Sequence, residues 1–154
     1  MTKTKISSLS SPSSAADALI GETLVSAFGV DRVSRNTNLA QITTFRVGGA
    51  ADWFIEVCET KEIVRAVGLA SRLRIKVTFL GGGSNVLIGE LGIRGLVIRI
   101  WRGGVELVQP NVVRVNGGLS LNGLVRWTLN RGLAGLERWA TLQQCGASTC
   151  RAEG

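Results

Sequence analysis

The 154-residue chain has no histidine, and that single absence removes a good deal of chemistry. Without imidazole there is no Ser-His or Cys-His nucleophile pair, and the commonest general base and zinc ligand are missing. Cysteine is sparse as well. Cys58, Cys145 and Cys150 form no CxxC pair, and their odd number argues against a disulfide framework and for a reducing compartment. The spacing of Cys145 and Cys150 is a weak redox signal and reads as chance. No apolar run approaches the ~18 residues of a spanning helix. Serine-rich residues 7–16 stand where the apolar centre of a signal peptide would be. A cytoplasmic location is expected, with no membrane partner. Aromatic residues make up only 5% of the chain, too few for a visible base-stacking platform. The 18 basic residues are scattered, so the net charge of +7 reads first as a solvated basic surface rather than a nucleic-acid arm.

What is present points to a folded domain. Apolar residues supply 45% of the chain and charged residues 19%, enough to bury a core. Glycine occupies 20 positions, about double its usual share of ~7%. That excess implies tight turns or close backbone approach at several places.

Residues 1–14 are polar and proline-interrupted and read as a disordered lead-in, followed by a helix and linker over residues 15–35. Ala16, Leu19, Ile20, Thr23, Leu24, Ala27 and Phe28 recur at helical spacing, with Gly29 placed to stop the helix. Residues 34–41 are polar and turn-prone. Asp52–Val57 reads as a strand. Thr60 is placed to cap a helix with Ile63, Val64, Val67 and Ala70 on its inner face. Lys76–Leu80 is a second strand, and the short connections predict a crossover that leaves the two strands parallel. Gly95–Ile100 and Val112–Val115 read as further strands. Ser120 caps a second helix whose stripe is Leu121, Leu124, Val125, Thr128 and Leu129, ended by Arg131 and Gly132. From Thr141 the chain shows neither periodicity nor a strand or helix pattern.

The stretch with chemical content is Gly81-Gly82-Gly83-Ser84-Asn85, directly after a buried strand. Consecutive glycines let backbone N–H groups converge on an anion, because no Cβ blocks the approach or the positive φ angles required. Ser84 adds a hydroxyl and Asn85 an amide. A pyrophosphate suits such a loop at the carboxyl end of a strand. A tight turn with no ligand is an equal reading of the loop alone. Neither GxxxxGK[ST] nor GxGxxG is present, so a P-loop is excluded and a Rossmann site disfavoured.

Several motifs in order resemble one family. Thr43-Thr44-Phe45-Arg46-Val47-Gly48-Gly49 is followed by Ala51-Asp52, the glycine loop, Gly95-Leu96-Val97-Ile98 and Gly132-Leu133-Ala134-Gly135-Leu136-Glu137. Together they resemble the UDP-N-acetylenolpyruvoylglucosamine reductases over residues 36–140. The resemblance implies an α+β fold, an FAD-binding domain of the p-cresol methylhydroxylase and vanillyl-alcohol oxidase type with two α+β lobes, incomplete at the C-terminus. It implies that Gly81, Gly82, Gly83, Ser84 and Asn85 cradle the FAD pyrophosphate, and that Thr44, Arg46, Gly48 and Gly49 shape the neighbouring pocket. Arg46 either contacts an anionic group or bridges local carbonyls. Gly117-Gly118 matches a family turn near the cofactor, or is a plain strand-to-helix turn.

The implied reaction belongs to peptidoglycan synthesis: NADPH supplies a hydride through the flavin to the enolpyruvyl double bond of a UDP-sugar. After Glu137 the expected glycine- and proline-containing loop is replaced by TLQQCGASTC. Residues 141–154 are therefore read as a non-family tail, with the substrate domain and the family's catalytic residues absent. No catalytic or metal-binding residue is assigned to this chain, and no protein partner is inferred. A one-base slip near codon 141 would account for the switch, which the coding DNA can check. A stand-alone flavin- or nucleotide-binding module is the alternative, and a small basic nucleic-acid-binding protein the weaker one.

Overall fold

A computed structural model describes residues 15–136 and the backbone of Thr149–Arg151. The lead-in over residues 1–14, Cys145 and most of the tail lie outside the described residues.

The first layer is a helix pair. Helix α1 (Ala15–Phe28) buries Gly21, Leu24 and Phe28, and Gly29 ends it at φ +89°. Gly21 is needed there: a Cβ would lie 2.8 Å from the Trp53 ring. Helix α2 (Thr60–Arg72) begins one residue earlier than expected. Glu59, not Thr60, is the N-cap, because Glu62 reaches back to accept from the Cys58 and Glu59 amides at 2.8 and 3.2 Å. Its buried face also differs from expectation. Ala66 and Ala70 are buried with Ile63 and Leu69 beside them, whereas Val64 is 68% exposed and Val67 also faces out. Two small alanines let the helix lie close to the sheet, and the bulkier valines are turned away.

Four strands form the sheet in the order β1-β2-β4-β3: β1 (Val33–Asn38), β2 (Ala50–Val57), β3 (Val77–Leu80) and β4 (Ile93–Ile100). Strands β2 and β3 are parallel as expected, with β4 inserted between them and parallel to both. The residues expected to be a turn-prone stretch from Ser34 instead form β1, antiparallel to β2. Its polar sequence suits a sheet edge: only Val33 and Thr37 are buried, and the Arg35 guanidinium lies 5.4 Å from the Trp53 ring centroid. At Arg94–Gly95 the β2–β4 register slips by a residue. Asp52 holds that bulge, accepting from the Gly95 amide at 2.9 Å and pairing with Arg94 at 2.8 Å.

The sheet separates two cores. On one face Leu24, Phe28, Trp53, Ile55, Val57, Ala66, Ala70, Leu96 and Ile98 pack together under the helices. On the other, Phe54, Leu80 and Val97 are covered not by helices but by irregular chain, with Leu39 in a 3-10 turn and Ile88 as anchors.

A second, smaller unit follows. Strands β5 (Val105–Gln109) and β6 (Val112–Val115) form a hairpin, and β7 (Thr149–Arg151) pairs antiparallel with β6. The strand at Thr149 corrects the reading of a tail without strand character. It arises because β6 still has a free edge to pair. Helix α3 (Leu121–Leu129) starts at Ser120, whose side chain accepts from the Gly123 amide at 3.1 Å. Leu121, Leu124, Val125 and Thr128 are buried as expected, but Leu129 is 52% exposed because the chain leaves the helix there. Its core is Val113, Val115, Leu121, Leu124, Val125 and Leu136. Two α+β units, one large and one small, make up the described chain.

Candidate functional site

Strand β3 ends at Leu80, which stands in register with Arg99 of the parallel β4. Gly81 through Asn85 then leave the sheet at its carboxyl end and fold onto the face covered by irregular chain. Gly83 is the pivot. It is buried at φ +71°, and a Cβ there would sit 2.5 Å from the Ile42 carbonyl oxygen. Its own carbonyl accepts from the Thr44 amide at 3.0 Å, which pins the Thr43–Gly49 segment against the loop.

The donors of the loop point to its chemistry. Among the described residues, the N–H groups of Gly83, Ser84 and Asn85 have no hydrogen-bond acceptor, while Gly82 is partnered. Gly83 is buried, Ser84 half-buried and Asn85 exposed, so the Gly83 amide is the one for which a missing acceptor costs about 1–3 kcal/mol, and the other two are open to an anion or water. Three successive amides, one on a left-handed glycine, fit the two phosphates of a dinucleotide.

The two segments then run side by side across the sheet to its other end. There Gly49 donates to the Gly89 carbonyl at 2.9 Å, and Gly92 does the same at 2.9 Å. A Cβ on Gly48 would meet the Ile88 side chain at 2.8 Å, and one on Gly49 the Glu90 carbonyl oxygen at 2.0 Å. The structure thus brings Thr44 to Gly83, but places Gly48 and Gly49 against Ile88–Gly92, where β2 and β4 begin. Arg46 is exposed in the left-handed region at φ 53°. It lines an open cavity of about 570 Å³ with Ala40, Val47, Leu87 and Glu90, separate from Gly81–Asn85. Nothing in the sequence motifs singled out Leu87 to Glu90; their signal was only their position after the glycine loop.

Gly118 comes close to the end of β4. A Cβ on it would be 2.6 Å from the Arg102 carbonyl oxygen and 2.9 Å from that of Ile100. The Gly117-Gly118 turn and the Gly81–Asn85 loop therefore both lie at the carboxyl end of the sheet, near the end of β4. Among the described residues, the one strongly shifted acid is Glu62, which lies after β2. The Arg32 guanidinium donates to Glu62 at 2.5 Å and, with the Cys58 and Glu59 amides, holds that carboxyl at about 2 against burial. Glu62 is occupied in building α2 and has no free role. Among the described residues no cluster could hold a metal ion, and no helix is long and apolar enough to cross a membrane.

An α+β unit whose glycine loop opens donors at the carboxyl end of a parallel strand defines a nucleotide-binding class of domain. The chain belongs to the family described as "FAD binding domain", whose profile matches residues 51–149. The resemblance to UDP-N-acetylenolpyruvoylglucosamine reductases is borne out by curated relatives. That of Gloeobacter violaceus is 38% identical over 112 residues, covering 71% of this chain and 37% of the relative. That of Rubrobacter xylanophilus is 43% identical over 101 residues, covering 64% and 34%. The chain thus spans a little over a third of the length of the relatives it matches.

Solved structures agree on the fold. p-Cresol methylhydroxylase with substrate bound superposes with a TM-score of 0.62 at 10% identity, covering 79% of this chain and 26% of that one. Alkyldihydroxyacetonephosphate synthase gives 0.60 at 18% identity, covering 85% and 28%. The fold is the α+β FAD-binding domain of the p-cresol methylhydroxylase type.

Proposed function

We propose that this chain is the FAD-binding part of an NADPH-dependent reductase that converts UDP-N-acetylglucosamine enolpyruvate to UDP-N-acetylmuramate in peptidoglycan synthesis. The observation that carries the reading is the run of acceptor-less amides at Gly83, Ser84 and Asn85 in a chain of the FAD binding domain family. Bound FAD would supply hydride transfer between NADPH and the enolpyruvyl double bond. The chain's own residues do the holding. The amides of Gly83–Asn85, with the Ser84 hydroxyl and Asn85 carboxamide, donate to the diphosphate. Thr44 fixes the loop through its hydrogen bond to Gly83. Gly48 and Gly49 contribute by letting the two covering segments close over the sheet, and Arg46 lies exposed in the separate cavity they line, as a cation for an anionic group there rather than at the cradle. Residues 36–140 form this cofactor-binding unit, with residues 15–35 as its N-terminal helix and linker. No group of this chain is given a proton-transfer role, so binding without turnover is expected of the chain alone.

Calorimetric titration of the purified chain with FAD, ADP and riboflavin tests the reading. FAD and ADP should bind and riboflavin should not, because only the first two carry a diphosphate. NADPH consumption with the enolpyruvyl substrate should stay at background. Binding of riboflavin as tight as that of FAD would remove the diphosphate from the account.

A further inference from the structure

Trp101 is a large aromatic side chain left 40% exposed at the end of β4. Its amide donates to the Val57 carbonyl at 2.8 Å, which continues the β4 geometry beyond Ile100. Two residues earlier, Arg99 lies with its guanidinium carbon 3.9 Å from the indole centroid. Arg99 is itself fixed by Glu56, its cross-strand neighbour on β2, at 2.9 Å, and its side chain is only 14% exposed. Side chains two apart on a strand share a face. Phe54 and Val97, two residues before Glu56 and Arg99, belong to the core beneath the glycine loop's continuation. Glu56, Arg99 and Trp101 therefore stand on the face over which Gly81–Asn85 fold, and at the same end of the sheet.

We propose that the Trp101 indole is the surface on which the adenine of the bound dinucleotide stacks. This rests on the reading of Gly81–Asn85 as the diphosphate cradle. The Arg99 guanidinium lies over the indole, and 40% of Trp101 remains exposed to meet a flat guest. The order Arg99–Trp101–adenine uses a cation–π contact to hold the ring and base stacking to hold the ligand. Reach selects the adenine. The last β3–β4 pair is Leu80 with Arg99, so Gly81 leaves the sheet beside the end of β4, and neighbouring strands lie about 4.8 Å apart. The ring joined to the diphosphate through one ribose can reach an indole that near, whereas the flavin ring is carried further out by its ribityl chain. Glu56 and Arg99 are positioning residues, and Trp101 is the contact.

The test uses the full chain and three variants, Trp101→Ala, Trp101→Phe and Arg99→Met, titrated with FAD and ADP, with inorganic pyrophosphate as competitor. Trp101→Ala should weaken FAD and ADP about tenfold or more while leaving pyrophosphate competition unchanged. Trp101→Phe should keep most of the affinity, and Arg99→Met should fall between. Unchanged ADP affinity in Trp101→Ala overturns the platform while the cradle stands. So does an equal loss of pyrophosphate competition, which would make the effect structural. A parent chain that binds neither FAD nor ADP overturns the cradle and the platform together.

Discussion

At the amino-terminal ends of β2 and β4, Gly49 and Gly92 both donate to the Gly89 carbonyl, and a Cβ on either would collide with backbone at 2.0 or 1.9 Å. At the carboxyl end of β3, Gly83 has the same left-handed φ as Gly92, yet its amide and those of Ser84 and Asn85 have no acceptor among the described residues. The same residue type serves two ends of one sheet for different reasons. At the first end glycine lets two chains touch and the donors are consumed in doing so. At the second it bends the chain and leaves donors over. A glycine motif is thus a binding motif only where its amides are still unspent.

The largest effect separating the two ends should come from Gly92→Ala or Gly49→Ala. Each forces backbone apart, and Gly92 also sits at φ +72°. Either should cost about 3–5 kcal/mol in denaturant unfolding. Near-parental stability would mean that the amino-terminal glycines are not structural. Acid should distinguish the ends next. The Glu62 carboxyl is held at about 2, below its ordinary 4.5, chiefly by the Arg32 hydrogen bond. A depressed acid stabilises fully above about 4.5, and that contribution is lost as the pH falls toward 2. Amide exchange at Cys58 and Glu59 should rise through that window, while Gly49 and Gly92, held by backbone alone, should not respond to it.

Smaller in energy but on the ligand side, Ser84→Ala should lower FAD affinity about two- to tenfold, the equivalent of one neutral hydrogen bond. Thermal melting of the free protein should be unchanged, and a fall in stability would move Ser84 to the structural class. The smallest effect is a control. Gly68 lies inside α2 with open space around it, so Gly68→Ala should stabilise by about 0.5–1 kcal/mol. A loss there would show a contact that the packing does not reveal.

Much of the larger unit was legible in the sequence because its strands are strongly apolar. Asp52–Val57 and Gly95–Ile100 announced β2 and β4, and Ser120 announced α3. The strands that escaped notice are edges. In β1 one face is given to Ser34 and Asn36-type polar residues, and β5 exposes nearly all of its length. An edge strand is stabilised by its ladder and needs little apolar alternation. The inner face of α2 was misread because bulk was taken for burial, when Ala66 and Ala70 are what a close helix–sheet contact requires. The candidate site was legible as a loop and by family likeness. That Gly48 and Gly49 lie at the opposite end of the sheet from Gly83 follows from β2 and β3 being parallel, which the short connections already predicted, whereas the insertion of β4 between them is a pairing no local pattern encodes.

Everything turns on which amides meet the ligand, and amide chemical shifts read that directly. Adding ADP to the isotopically labelled chain should move the Gly83, Ser84 and Asn85 amides strongly and leave Gly49 and Gly92 in place. Saturation that shifts the Gly49 and Gly92 signals instead, with Gly83–Asn85 unmoved, would contradict the account.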